Sequence, residues 1–174
     1  MLKDLGILTL RAVTGGLLIG HGGQKLFGWF GGPGMEGTTG MMQSLGLEPG
    51  SQWAKIAGGS EVGGGLLTAL GLLHPIGPII MHGPMLAATR QVHWDKPIWV
   101  TEGGAELPLT NMAVGVALAT NEPGRFSLDS LLGIRIPGWV SLLALGGVVA
   151  GVIMMEAQTR QQGQPEEPQQ EAAA

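Results

Sequence analysis

The chain has 174 residues, 44% of them hydrophobic and only 13% charged; that is about half the charged fraction of an ordinary soluble domain, so a bilayer is the expected solvent. It has no cysteine, which excludes thiol–disulfide chemistry, thiolate metal sites and c-type haem attachment within this polypeptide. The net charge of −4 gathers in the C-terminal tail and no Lys/Arg cluster occurs, so nothing points to nucleic acid as a partner.

The first predicted segment is 5–27. A charged start followed by an apolar run has the outline of a signal peptide, but the run is too long for one, so a retained span is expected. Within it Arg11, Thr14, Leu18, His21 and Lys25 recur at steps of three or four and form a polar stripe on one helix face. Such a stripe cannot face lipid. Each ionisable group in hydrocarbon costs about 3 kcal/mol or more, so partner helices must bring carboxylates to matching depth. Residues 28–50 form a turn-rich loop. Gly32, Gly34 and Gly37 spell G-x-G-x-x-G there, but no strand leads into them and no βαβ pattern surrounds them, so a dinucleotide reading carries little weight. Within this loop 38–47 predicts a short interfacial helix with Met41, Met42 and Leu45 on one side, beside Trp29 and Phe30.

A second span, 53–73, carries Glu61 amid glycines, of which Gly59 and Gly63 have the small-xxx-small spacing of close helix packing. The third, 76–92, holds Pro78, His82, Pro84, Thr89 and Arg90; it is short for a crossing, so a tilt or a kink near Pro84 is expected. His93 to Pro97 make an interfacial corner with Trp94 and Trp99 as belt residues. The fourth span, 101–120, carries Glu102 and Glu106 one turn apart, with Thr110 next on the same face. Ser127 then caps a short helix begun by Leu128 and Asp129. A fifth apolar run, 139–155, is again long enough to cross, and the Gln/Glu/Pro tail cannot bury enough apolar surface to fold. The expected fold class is all-α, a polytopic membrane helical bundle. It comprises a four-helix membrane domain over 1–132, an additional transmembrane helix over 133–157 and a disordered tail over 158–174.

Spans 1 and 3 end on the membrane side where spans 2 and 4 begin. That side receives His21, Gln24, Lys25, Arg90, His93, Glu102 and Glu106, and Glu61 lies roughly 12 Å below it at about 1.5 Å per residue, near the level of His21. His82, three turns from His93, extends the set toward the membrane centre. Carboxylates, imidazoles, an Arg and a Lys at one level predict an intramembrane site for a small ligand or for protons, drawn from His21, Gln24, Lys25, Glu61, His82, Arg90, His93 and Glu106. The competing reading is a paired polar core that only locks the helices. Protonation beside a lipid-soluble quinone is one use of such a site. A haem on two of His21, His82 and His93 needs imidazoles opposed across a ring, which nothing in the spacing requires. A divalent metal on His21, Glu61, His93 and Glu106 is a further alternative.

The runs HGGQKLFGWFGGPGMEGTTGMMQSLGL and AGGSEVGGGLLTALGLLHPIGP, the third span with Ala87, Ala88 and His93, Glu106 in the fourth, and PGRFSLD resemble the DoxX/DoxD-like membrane protein family in order and spacing. The resemblance covers about residues 5–132. It implies a four-helix integral protein of the bacterial or archaeal cytoplasmic membrane, in a family often described as oxidoreductases or as subunits of quinone-linked redox systems. The lipid bilayer and redox enzyme subunits are the partners it implies. The family pattern falls on His21, Gly22, Lys25 and Gly28, on Glu61, Gly64 and Gly71, on His93 and Glu106, and on Ser127 and Asp129. Ala105 departs from it, standing where members commonly carry an aromatic residue, and the fifth span and acidic tail lie outside the four-helix unit. A non-enzymatic scaffold or assembly subunit is the alternative function; five spans without an evident inverted repeat argue against a transporter. Lys and Arg near the span ends do not decide orientation, but with Lys25 and Arg90 assigned to the cavity, the side carrying Lys3, Arg11, Arg125 and Arg135 is expected in the cytoplasm.

Overall fold

Helix α1 (Leu2–Phe27) runs without interruption until Gly28, whose left-handed backbone (φ 71°) lets its N–H close on the Gly23 carbonyl; a side chain would resist that conformation. The computed structural model describes residues 1–162 and contains no strand among them. After α1 come α2 (Gly34–Ser44), α3 (Gly50–Leu70), α4 (Ile76–Ile80), α5 (His82–Gln91), α6 (Glu106–Ala119), α7 (Leu128–Leu132) and α8 (Gly138–Gln162). The first loop helix starts earlier than the expected residue 38, and α8 continues past 157 to Gln162. The rest of the expected tail, 163–174, lies outside the described residues.

The central contact is between α1 and α3. Gly15 meets Gly65 and Gly22 meets Gly58 so closely that a Cβ on Gly15 would stand 2.5 Å from the Gly65 carbonyl oxygen, and one on Gly22 would stand 2.6 Å from that of Gly58. Backbones can approach this far only where side chains are absent. This corrects the expected pair: Gly59 and Gly63 have open space where a Cβ would go. The buried face of α3 runs through Ala54, Gly58, Glu61, Gly65 and Thr68, a helical stripe that both of those glycines fall beside.

Two predicted spans are interrupted. The third is two helices meeting at Met81, because Pro84 has no N–H for the Ile80 carbonyl and its ring crowds that turn. The fourth starts only at Glu106, since Val100–Glu102 is a 3-10 turn and Gly103 is left-handed with φ 79°. Glu102 and Glu106 therefore do not share a helix face.

Helix α8 packs against α4 and α5, and its Met155 joins Met42, Leu47 and Ala54 in a buried apolar cluster. Among the described residues, all of its side-chain hydrogen bonds and ion pairs fall between Glu156 and Arg160. Trp53 Nε1–H donates to Gln158 at 2.7 Å, Gln158 donates to the Glu48 carbonyl at 2.5 Å, and Arg90 meets Glu156 at 3.3 Å. The outer surface is apolar on nearly every helix, with Val13, Leu17, Ile56, Leu66, Leu107, Val116, Leu142 and Ile153 all exposed. Arg11, Glu61 and Asp129 are buried instead. A molecule that turns large aliphatic side chains outward and charges inward is suited to a hydrocarbon solvent. Among the described residues α8 is the one helix long and apolar enough to cross a membrane by length and composition.

Candidate functional site

Helices α1 and α3 run antiparallel, with Gly15 against Gly65 and Gly22 against Gly58, so Lys25 and Glu61 lie about one turn to either side of the Gly22–Gly58 contact. Each side chain tilts toward the N-terminus of its own helix and so back toward that contact, where the two meet. Lys25 Nζ donates to both Glu61 oxygens, at 2.7 and 2.5 Å. Glu61 is only 3% exposed and Lys25 is part-buried. The same lysine fixes α2, because Thr38 Oγ1–H donates to the Lys25 main-chain carbonyl at 3.0 Å.

This pair stands on the wall of a cavity of about 380 Å³ between α2, α3, α5 and α8. Met41 and Met42 come from α2, Trp53 and Ala57 from α3, Pro84 and Ala87 from α5, and Val148, Val152 and Met155 from α8. Ser60 and Gln91 add two uncharged polar groups. Lys25 and Glu61 are the charged residues on the wall among the described residues. A hollow with an apolar lining and one localised polar function fits an amphipathic small molecule better than a hydrophilic one.

The other expected site residues lie elsewhere, and the cluster from four crossings is corrected to one ion pair. His21 is exposed, because the buried arc of α1 runs through Leu18 and Gly22 and His21 is rotated about 60° from Leu18 at roughly 100° per residue. Gln24 is part-buried with Gly32 packed on it. His82 is wedged between α5 and α6, its ring nitrogens 2.8 Å from the Pro78 carbonyl and 3.2 Å from that of Met112. Arg90 turns to α8 and Glu156, with its guanidinium 4.3 Å above the Trp94 ring. His93 Nδ1 lies 2.5 Å from the Gly103 carbonyl, and Glu106 accepts the Val100 N–H at 2.9 Å within its own turn. His82, Arg90, His93 and Glu106 each meet a nearby partner, so none of these four needs the shared cavity. Of the three imidazoles proposed for haem, His82 and His93 sit against different main-chain carbonyls and His21 is exposed, so the structure does not bring them together. No group of three His, Cys, Asp or Glu among the described residues could hold a metal ion, which removes the set His21, Glu61, His93 and Glu106.

Arg11, expected on the same stripe, anchors the opposite end of the molecule. It is 1% exposed and donates to the carbonyls of Pro123 at 2.6 Å and Phe126 at 2.9 Å. Asp129 braces the facing turn by accepting the N–H groups of Leu73 at 2.9 Å and His74 at 2.7 Å. Ser127 caps α7, accepting the Ser130 N–H at 3.1 Å, as its position predicts. Gly71 (φ 60°) joins the two: its carbonyl accepts the Asp129 N–H at 3.1 Å, and a Cβ on it would collide with the Arg11 guanidinium. His74 lies on this rim, its Nε2 2.8 Å from the Asn121 carbonyl. Burial holds its imidazole below the ordinary value, partly offset by that carbonyl.

The cavity wall from α8 escapes a reading of the sequence alone, although Ala144, Gly147, Val148, Gly151, Val152 and Met155 recur at helical steps. That spacing marks a small-residue face against other helices.

A family model described as DoxX matches residues 6–94, just over half of the 174 residues, and takes in α1 to α5 with both Lys25 and Glu61. No curated protein and no solved structure matches the chain. With the matched segment holding the central helix pair and its buried ion pair, the chain belongs to the DoxX family and is a membrane protein of that family.

Proposed function

We propose that this protein is a multi-pass protein of the cytoplasmic membrane, crossed by α1, α3, the α4–α5 pair, α6 and α8, and that it acts as a subunit of a quinone-linked redox system. The proposed ligand is a quinone-like molecule held in the cavity beside Lys25 and Glu61. One observation carries this reading: a buried ion pair is the charged feature of an otherwise apolar hollow of about 380 Å³. The Lys25 ammonium can donate to a ring carbonyl of an oxidised quinone, and the Glu61 carboxylate can accept a hydroxyl of the reduced form. Met42, Trp53 and Val152 would cover the ring and the start of its tail. Electrons would come from a partner redox subunit.

The test is purification in mild detergent, solvent extraction for bound quinone, and titration with a short-chain quinone followed by tryptophan fluorescence. The expected result is extractable quinone or saturable quenching, weakened at least about tenfold in Glu61→Gln, roughly the loss of one charged hydrogen-bond partner. Absence of both signals from folded protein would overturn it. The second reading is a non-enzymatic scaffold in which the pair is a clamp, and it is favoured by the direct bridge the pair makes between α1 and α3. A Glu61→Gln protein that unfolds, with no quinone bound by the parent, supports that reading.

A further inference from the structure

At the end of α1 remote from Lys25, a polar groove of about 880 Å³ opens between the start of α1, the α3–α4 turn and the segments flanking α7. Lys3, Arg125 and Arg135 line it. All three are exposed, and among the described residues none is in an ion pair. The acids around them are largely committed. Asp4 accepts the Arg125 main-chain N–H at 3.2 Å, and Asp129 is spent on Leu73 and His74, which leaves Glu122 against three cations. The rim beside the groove has the opposite character. Helix α7 turns Asp129 inward at 4% exposure while Leu131 and Leu132 are 77% and 62% exposed, and Trp139 comes next at 63%.

Exposed cations along a groove, bordered by outward leucines and a tryptophan, match the layering of a bilayer surface, where phosphates lie just outside the acyl region. We propose that this groove binds the headgroup of an anionic phospholipid. Lys3, Arg125 and Arg135 meet the phosphate, and the acyl chains run down beside Leu131 and Leu132. Charge complementarity selects an anionic lipid over a zwitterionic one, whose own ammonium would bring positive charge to the cations. The site is independent of the Lys25–Glu61 cavity, so its failure would not touch the quinone reading.

The test uses the full-length protein in nanodiscs of mixed phosphatidylglycerol and phosphatidylcholine, with retained lipid counted by native mass spectrometry after release into detergent. Phosphatidylglycerol should be retained in preference to phosphatidylcholine. Arg125→Gln and Arg135→Gln should each lower that preference about fivefold, with thermal unfolding unchanged because both side chains are exposed. Equal retention of the two lipids, or a preference untouched in the double variant, would overturn the proposal. So would inorganic phosphate displacing phosphatidylglycerol at millimolar concentration, because the groove would then be a site for a free anion.

Discussion

Glu61 sits in an apolar wall with both carboxylate oxygens bound by Lys25, and the dependence of each partner on the other can be measured. Glu61→Gln leaves the lysine facing a hollow with no carboxylate, and removing one member of a buried pair costs about 3 kcal/mol or more. A large fall in the detergent melting temperature is expected. Lys25→Met combined with Glu61→Leu should recover most of it, since an apolar pair of similar volume avoids the desolvation cost, while quinone binding stays lost. His74 makes a second prediction. Its imidazole is held below the ordinary value by burial, so above about pH 6.5 it is neutral in both folded and unfolded chains and adds no pH dependence. As pH falls through that value the unfolded chain takes a proton that the folded one resists, and stability drops until the lower folded value is passed. The melting temperature should therefore decline from about pH 7 to pH 5, and His74→Asn should flatten the slope.

At the level of helices, the glycines of α3 fall into two classes that sequence spacing does not separate. Gly65→Ala puts a Cβ 2.7 Å from the Gly15 carbonyl oxygen and should destabilise by about 1–3 kcal/mol through overpacking. Gly63→Ala points into open space and should be neutral or stabilising by up to about 1 kcal/mol through helix propensity. Unfolding of both variants in parallel would check the pair. Spacing made the α1 stripe legible and put Arg11, Leu18 and Lys25 on its inward side. It failed for His21, because a stripe drawn at steps of three and four is wider than the buried arc of one glycine-packed helix. It failed also for Glu102 and Glu106, where the Gly103–Gly104 pair ends regular structure before a helix face can form. That Lys25 and Glu61 belong to one half of the bundle was legible as depth and charge. That they pair with each other, and that Arg90, His93 and Glu106 stand apart, was not, since each of those three is settled by a local carbonyl, amide or α8 partner that periodicity does not register.

On the scale of the whole molecule, the proposed five-crossing topology, which the inside-out distribution of apolar and charged side chains supports, can be tested directly. The chain has no cysteine, so single cysteines report position without background. Asp95→Cys and Ser130→Cys should react with a membrane-impermeant maleimide from opposite sides of the cell membrane, Asp95→Cys from outside. Labelling of both from one side would refute the five-crossing arrangement. The chain order of the helices was legible from hydropathy, but the docking of α8 over the cavity was not, because its apolar face has no charge to announce a partner. Helix α8 is fastened by Gln158 and Glu156 at its C-terminal end and, among the described residues, its earlier turns make apolar contacts, for which lipid tails can substitute. A tenant of the cavity would then come and go sideways between helices, without passing through water. Its residence would depend on how much of it is dissolved in the surrounding leaflet, so a cell would set occupancy through the make-up of its membrane.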